Sequence, residues 1–203
     1  MNIVCLDLEG VLIPEIWVNF AEAVGIEELK ATTRDIPDYD ELMRFRLDLV
    51  AKHDFRMSDI QAVINGLDPL PGAYQFTAEL RADYQLIILS DTFEQFAKPM
   101  MRQLEWPTIF CHELVLDDVG KIVDYKLRKQ DHKRETVKRL QELNFKVVAA
   151  GDSYNDTSML GQAEFGFLFC PPQNVISEFP QFPVCNTYAE LRAAIDGAIQ
   201  KMP

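Results

Sequence analysis

The chain has 203 residues, 48% hydrophobic and 26% charged, a balance that supports one substantial core, or a core with an insertion, and excludes a disordered class. Its formal net charge of −12 excludes a general affinity for nucleic acid or anionic membranes, because both depend on a basic surface. Cys5, Cys111, Cys170 and Cys185 form no Cys-x-x-Cys pair and no zinc-spaced cluster, and three of them sit in apolar runs, so a reduced, cytoplasmic protein is expected.

The opening MNIVCLDLEG has no basic region and reaches Asp7 and Glu9 too early for a signal peptide, and no apolar run approaches the ~18 residues of a membrane span. Residues 2–6 are too short for a helix and end at acidic residues and a glycine, which predicts a buried strand running into a functional loop. Residues 14–68 then depart from strand character. They hold three amphipathic patterns, EIWVNFAEAVG, DELMRFRLDLVAKH and SDIQAVINGL, the last with Ser58 as its expected N-cap. Pro69 and Pro71 mark a return to the main body.

From residue 72 the pattern alternates. Helical periodicity at 72–82, 93–104, 132–143, 155–161 and 187–200 is interleaved with the apolar runs 84–90, 107–111, 146–151 and 165–169. Such runs read as strands buried on both faces of a largely parallel sheet, while ELVLDDVGKIVDYKL at 113–127 reads as a β-hairpin. The expectation is a doubly wound α/β core of residues 1–13 and 72–203, with a small helical cap of residues 14–71 inserted after the first strand. Two connections at one neck would let that cap open and close.

Taken singly, the polar residues at the strand ends have plain explanations. Asp7 and Glu9 suit solvated loop carboxylates, Ser90, Asp91 and Thr92 suit a helix cap, Lys133 suits an exposed lysine, and Gly151 to Asp156 suit a turn. Jointly they fall at the carboxyl edge of one sheet, where ligands of α/β proteins bind. DLEGV at 7–11, SDT at 90–92, Lys133 and GDSYND at 151–156 resemble, in order and spacing, the four motifs of the haloacid dehalogenase superfamily, phosphatase branch. DLEGVLIPEIW, KATTRDIPDYDELM, LSDTFEQF, AAGDSYND and PQNVISEFPQFP are similar to bacterial bifunctional phosphoserine phosphatases that are also phosphoserine:homoserine phosphotransferases.

That resemblance implies a Mg²⁺-dependent phosphatase of serine and threonine biosynthesis that works through a phospho-Asp7 intermediate and accepts phosphoserine, with homoserine as a second acceptor. Asp7 would be the nucleophile and Glu9 the general acid and base. Mg²⁺ would be held by Asp7, the Glu9 backbone oxygen and Asp152, with Asp156 supporting from behind. Ser90, Lys133 and the backbone N–H groups of Asp91 and Thr92 at a helix start would bind the phosphoryl group, with Asn155 beside them. Glu15 would face the substrate's amino group and Arg46 its carboxylate, although Arg44 stands close enough in sequence to serve instead.

Two positions depart from the commonest pattern. Glu9 stands where Asp is usual and reaches ~1.5 Å further, and Asp91 stands where glycine is usual, so its carboxylate must point away from the phosphate. His53, His112 and His132 have no role in the implied mechanism. The resemblance also implies a homodimer. A phosphatase of another small phosphometabolite, a metal-independent dehalogenase and a phospho-receiver module are the alternatives. The receiver fits worst, because its acceptor Asp follows the third strand and no cap interrupts it.

Overall fold

The computed structural model describes residues 1–32, 35–36 and 38–202. Within the KATTRDIPDYDELM segment, Thr33, Arg34 and Pro37 lie outside the described residues. A seven-stranded sheet is built from β1 (Asn2–Leu6), β2 (Gln85–Phe93), β3 (Thr108–Leu116), β4 (Ile122–Lys126), β5 (Lys146–Gly151), β6 (Phe165–Phe169) and β7 (Val184–Cys185). Its order is β4-β3-β2-β1-β5-β6-β7, with every pair parallel except β3 and β4.

The period-2 geometry of a strand explains how β1 is buried on both sides. Val4 and Leu6 enter one apolar cluster with Phe76 and Leu80 of α4 (Ala73–Asp83) and Leu191 and Ile195 of α9 (Tyr188–Lys201). Ile3 and Cys5 enter the opposite cluster with Val137 of α6 (His132–Glu142) and Met159 and Leu160 of α7 (Thr157–Gln162). The unbroken apolar spelling of the strand follows from this double burial. The chain is therefore a mixed α/β protein with helices on both faces of a mostly parallel sheet.

Residues 14–71 form α1 (Ile16–Val24), a 3-10 turn at Glu27–Lys30, α2 (Tyr39–Lys52) and α3 (Met57–Ile64). The Leu70 N–H donates to the Leu12 carbonyl at 2.9 Å, which joins the two ends of this segment. Trp17 of α1 packs edge-on against Phe96 of α5 (Glu94–Gln103), with ring centroids 5.5 Å apart, so these helices share apolar surface with the sheet layer.

Three sequence expectations shift, and two short elements were not anticipated. Ser58 lies inside the first turn of α3, where the Asp59 carboxylate instead takes the Arg56 N–H at 2.7 Å. The run at 107–111 and the first arm of the hairpin are one continuous strand, β3, because no turn residue separates Cys111 from Glu113. The helix expected at 155–161 begins as a 3-10 turn at Tyr154–Asp156 and becomes α7. Short α8 (Gln173–Glu178) and β7 carry too few residues for periodicity to announce them.

Candidate active site

At the carboxyl end of β1, Asp7 continues the ladder by one bond, its N–H donating to the Ala150 carbonyl at 3.0 Å. Its Oδ1 accepts the Leu8 N–H at 2.7 Å, which orients the buried carboxylate. The loop then turns at Gly10, whose φ of +75° suits glycine. A Cβ there would lie 2.6 Å from the carboxyl carbon of Asp152, so glycine lets the two acidic loops approach. Gly151, at the end of β5, does the same for Asp156, whose carboxyl carbon would lie 2.3 Å from a Cβ.

Asp156 is wholly buried and uses both oxygens. Oδ1 accepts Lys133 Nζ at 2.8 Å, and Oδ2 accepts the N–H groups of Asp152 and Ser153 at 2.9 and 3.2 Å. Lys133 Nζ also lies 3.0 Å from Asp7 Oδ1 and 3.3 Å from Asp91 Oδ2. Burial opposes the charge of Lys133, but Asp156, Asp7 and Asp91 together hold it protonated well above its ordinary range. Burial and the neighbouring Asp156 push Asp7 well up, and the same two causes push Asp152 up to about 7.

Carboxylate oxygens of Asp7, Asp152 and Asp156 lie within 4.8 Å of one another. A cluster whose carboxyls are driven toward protonation is short of positive charge, and an all-oxygen donor set suits a hard divalent cation. The residues fit Mg²⁺. Because Asp156 is committed to Lys133 and two backbone N–H groups, Asp7 and Asp152 are the carboxylates with capacity left for such an ion.

Ser90, Asp91 and Thr92 sit within β2, which runs to Phe93, and α5 starts only at Glu94. The N–H groups of Asp91 and Thr92 are thus not helix-start donors as expected, because a register shift between Leu89 and Phe93 lets the strand absorb these polar residues. Ser90 Oγ accepts the Thr92 N–H at 3.3 Å, and the buried Thr92 Oγ1 has no hydrogen-bond partner among the described residues. Asn155 Nδ2 donates to Asp91 Oδ2 at 2.8 Å and its amide oxygen accepts Ser153 Oγ at 2.5 Å.

Above these residues lies a cavity of about 300 Å³, lined from below by Asp7, Glu9, Ser90, Thr92 and Asp152 and from the inserted helices by Glu15, Trp17, Tyr39 and Arg46. A larger cleft of about 930 Å³ adjoins it and shares Tyr39, Asp91, Tyr154 and Asn155, but Asp7 lines the smaller one. Arg46 is buried, its guanidinium 5.0 Å above the Trp17 ring and its Nη2 donating to the Ala31 carbonyl at 2.8 Å. Its Nε is buried with no hydrogen-bond partner among the described residues. Arg44, two residues earlier, is half exposed and pairs with Asp124 at 2.7 Å, outside the cavity.

Glu15 stands open to the cavity's water, yet its carboxyl faces Glu9 and Asp152. Burial and then those carboxylates push it up to about 8, against the pull of Arg46.

Two histidines join the site against expectation. His112 and His132 are both buried and both face Asp91 Oδ1, at 3.5 and 3.2 Å. Burial works against the charge of Asp91, but Lys133, then His112 and His132, outweigh it and hold the carboxyl well below the usual carboxylate range. Neither histidine lies in a motif, and only the pairing of β3 beside β2 together with the docking of α6 brings them to one carboxylate. The one available signal was the HKR triplet, where His132 precedes the motif lysine.

A family model described as "Hydrolase: haloacid dehalogenase-like hydrolase" matches residues 1–164. The chain belongs to the haloacid dehalogenase-like hydrolases. Within curated members, it is 55% identical over 192 residues to "Phosphoserine phosphatase" of Pseudomonas syringae pv. tomato, covering 95% of this chain and 81% of that one. It is 56% identical over 192 residues to "Phosphoserine phosphatase ThrH" of Pseudomonas aeruginosa, covering 95% and 94%. The haloacid dehalogenase-like fold also appears in a solved "Phospho-Aspartyl Intermediate Analogue of Phosphoserine phosphatase", with a TM-score of 0.78 at 21% identity over 96% of this chain and 97% of the other.

Proposed function

We propose that this protein is a Mg²⁺-dependent phosphoserine phosphatase that works through a phospho-Asp7 intermediate and also passes the phosphoryl group to homoserine. The observation that carries the reading is the buried Asp7 carboxylate, 3.0 Å from Lys133 Nζ, beneath a cavity whose far wall carries Glu15 and Arg46. Identity of 55–56% with proteins named phosphoserine phosphatase supports the substrate.

Helices α1 to α3 act as a cap on the core in this reading, and the Leu12–Leu70 neck is its hinge. Arg46 pairs with the substrate carboxylate and Glu15 with its ammonium group, which places the phosphoryl end against Asp7. Ser90, Thr92 and Lys133 take the phosphoryl oxygens, and Lys133 matches the charge that spreads over them during transfer. Asp7 attacks phosphorus in line, the P–O bond to serine breaks, and Glu9 gives its proton to the departing alkoxide.

Glu9 then takes a proton from water, or from the homoserine hydroxyl, as that oxygen attacks the acyl phosphate and releases Asp7. Asp7, Asp152 and the Glu9 carbonyl would hold Mg²⁺, whose positive charge would let one anion approach another. Asp156 holds Lys133 and the 152–153 backbone in place. The resemblance also carries a cytoplasmic homodimer into this proposal, which light scattering of the purified protein tests for the dimer.

The deciding experiment measures phosphate and phosphohomoserine formed from phosphoserine, with Mg²⁺ or EDTA and with or without homoserine, for wild type and Asp7→Asn. Release of phosphate only with Mg²⁺, lost in the variant, is expected. Turnover in EDTA would overturn the metal assignment, and no phosphohomoserine would remove the transfer activity.

A further inference from the structure

His112 and His132 take no part in the chemistry above, yet they are 2% and 4% exposed and converge on one carboxylate. Their rings stand 4.4 Å apart, with both Nε2 atoms facing Asp91 Oδ1. Both Nε2 atoms stand at ion-pair distance from that oxygen, His132 the nearer, and neither makes a well-aligned hydrogen bond to it, so the hold on the carboxylate is electrostatic. The other oxygen, Oδ2, accepts Asn155 Nδ2 and faces Lys133 Nζ. The backbone is fastened as well, since the Tyr39 hydroxyl donates to the Asp91 carbonyl at 2.9 Å.

Local structure aims both rings. His112 lies in β3 opposite Phe93, one strand away from Asp91. His132 opens α6 after Asp131, whose φ of +50° is held by the Ser158 hydroxyl donating to its carboxylate at 2.8 Å. That turn directs His132 and Lys133 inward together.

Asp91, His112 and His132 lie close enough to share a metal ion. The proton inventory points elsewhere. The Arg128 N–H donates to His112 Nδ1 at 3.3 Å, so Nδ1 is an acceptor and the neutral ring carries its proton on Nε2, toward Asp91. A protonated nitrogen cannot ligate a metal, and the Lys133 ammonium beside the same carboxylate would repel one.

We propose that His112, assisted by His132, is a positioning residue for phosphoryl binding: it holds the Asp91 carboxylate back from the space beside Ser90 and, through Asp91, fixes Lys133 and Asn155. This rests on the reading of Ser90 and Lys133 as phosphoryl ligands. Asp91 follows Ser90 directly, so an unrestrained carboxylate there would meet a dianion at short range in a poorly screened site.

The test is calorimetric affinity for inorganic phosphate in Mg²⁺ buffer, beside KM and kcat for phosphoserine, for wild type, His112→Leu, His112→Gln, Asp91→Asn and the Asp91→Asn/His112→Leu pair. His112→Leu should weaken phosphate and raise KM about tenfold while kcat changes less than about threefold. Gln, whose amide nitrogen can replace the Nε2–H, should recover most of the loss. In the Asp91→Asn background, His112→Leu should have little further effect, since the charge to be restrained is gone.

Unchanged phosphate affinity in His112→Leu, or an equal loss in both backgrounds, would overturn the inference. So would a Zn²⁺ or Mn²⁺ site in the wild type that His112→Leu abolishes. Intact phosphate coupling in a protein that does not hydrolyse phosphoserine would remove the substrate reading alone, and a wild type that binds no phosphate would remove both.

Discussion

The Glu9 carboxylate accepts the backbone N–H of Ile16 at 2.9 Å. A residue on the nucleophile loop therefore caps the first helix of the inserted segment, while Glu15, at the N-cap position itself, makes no side-chain cap bond. The extra methylene of Glu over Asp supplies that reach. Glu9→Gln keeps an acceptor oxygen but cannot carry the proton, so turnover should fall ~10²-fold or more with little change in melting temperature. Glu9→Ala should lose a further ~1 kcal/mol of stability. Melting curves and phosphate release measure both, and equal stability of the two variants would show that the cap contact carries nothing.

Gly10 and Gly25 both have positive φ, but only Gly10 is crowded, because nothing lies within 4 Å of a Cβ at Gly25. Gly25→Ala should cost ~1 kcal/mol from backbone strain alone. Gly10→Ala should cost ~1–3 kcal/mol more, as it displaces Asp152, and should weaken Mg²⁺ binding by calorimetry. Matching Mg²⁺ affinities in the two variants would contradict the role given to the close approach.

The carboxyls of Asp152 and Glu15, pushed up to about 7 and about 8 from ordinary values of 3.8 and 4.5, make stability depend on pH. The folded state binds more protons than the unfolded chain across that window, so their stabilising protonation is complete below about pH 4 and is lost as pH rises through 7 to 8. Without metal, the melting temperature should fall between pH 5 and 8. Millimolar Mg²⁺ should flatten the decline, and so should Asp152→Asn without metal. A metal-free melting temperature that rises over this range would show that the acidic cluster is already neutralised.

Arg46 and Arg44 should separate cleanly. Arg46→Leu is expected to raise KM for phosphoserine ~10- to 100-fold, the scale of a lost charge-assisted pair. Phosphoethanolamine, which lacks the carboxylate, should show little of that change. Arg44→Leu removes a solvent-exposed pair and should move stability by less than ~0.5 kcal/mol and KM hardly at all. Comparable effects of Arg46→Leu on both substrates would assign Arg46 to holding α2 in place instead.

The core architecture was open to reading because strands buried on both faces must be apolar at every position, and each such run ended where its polar residues began. That placed Asp7, Ser90 and Asp152 at one sheet edge from the sequence alone. Helical periodicity likewise announced α1 to α3 between the first strand and residue 72.

Only the tertiary structure decided the rest, because the deciding contacts join residues distant in sequence. Arg44 and Arg46 lie about 200° apart around α2, and nothing in their neighbourhood tells which side meets the cavity. Whether Ser90 to Thr92 end a strand or begin a helix depended on β3 pairing beside them. His112, His132 and Asp91 come from three elements, and each looks ordinary alone. Their shared carboxylate exists only because a parallel sheet sets β2 beside β3 and the turn at Asp131 aims α6 at both.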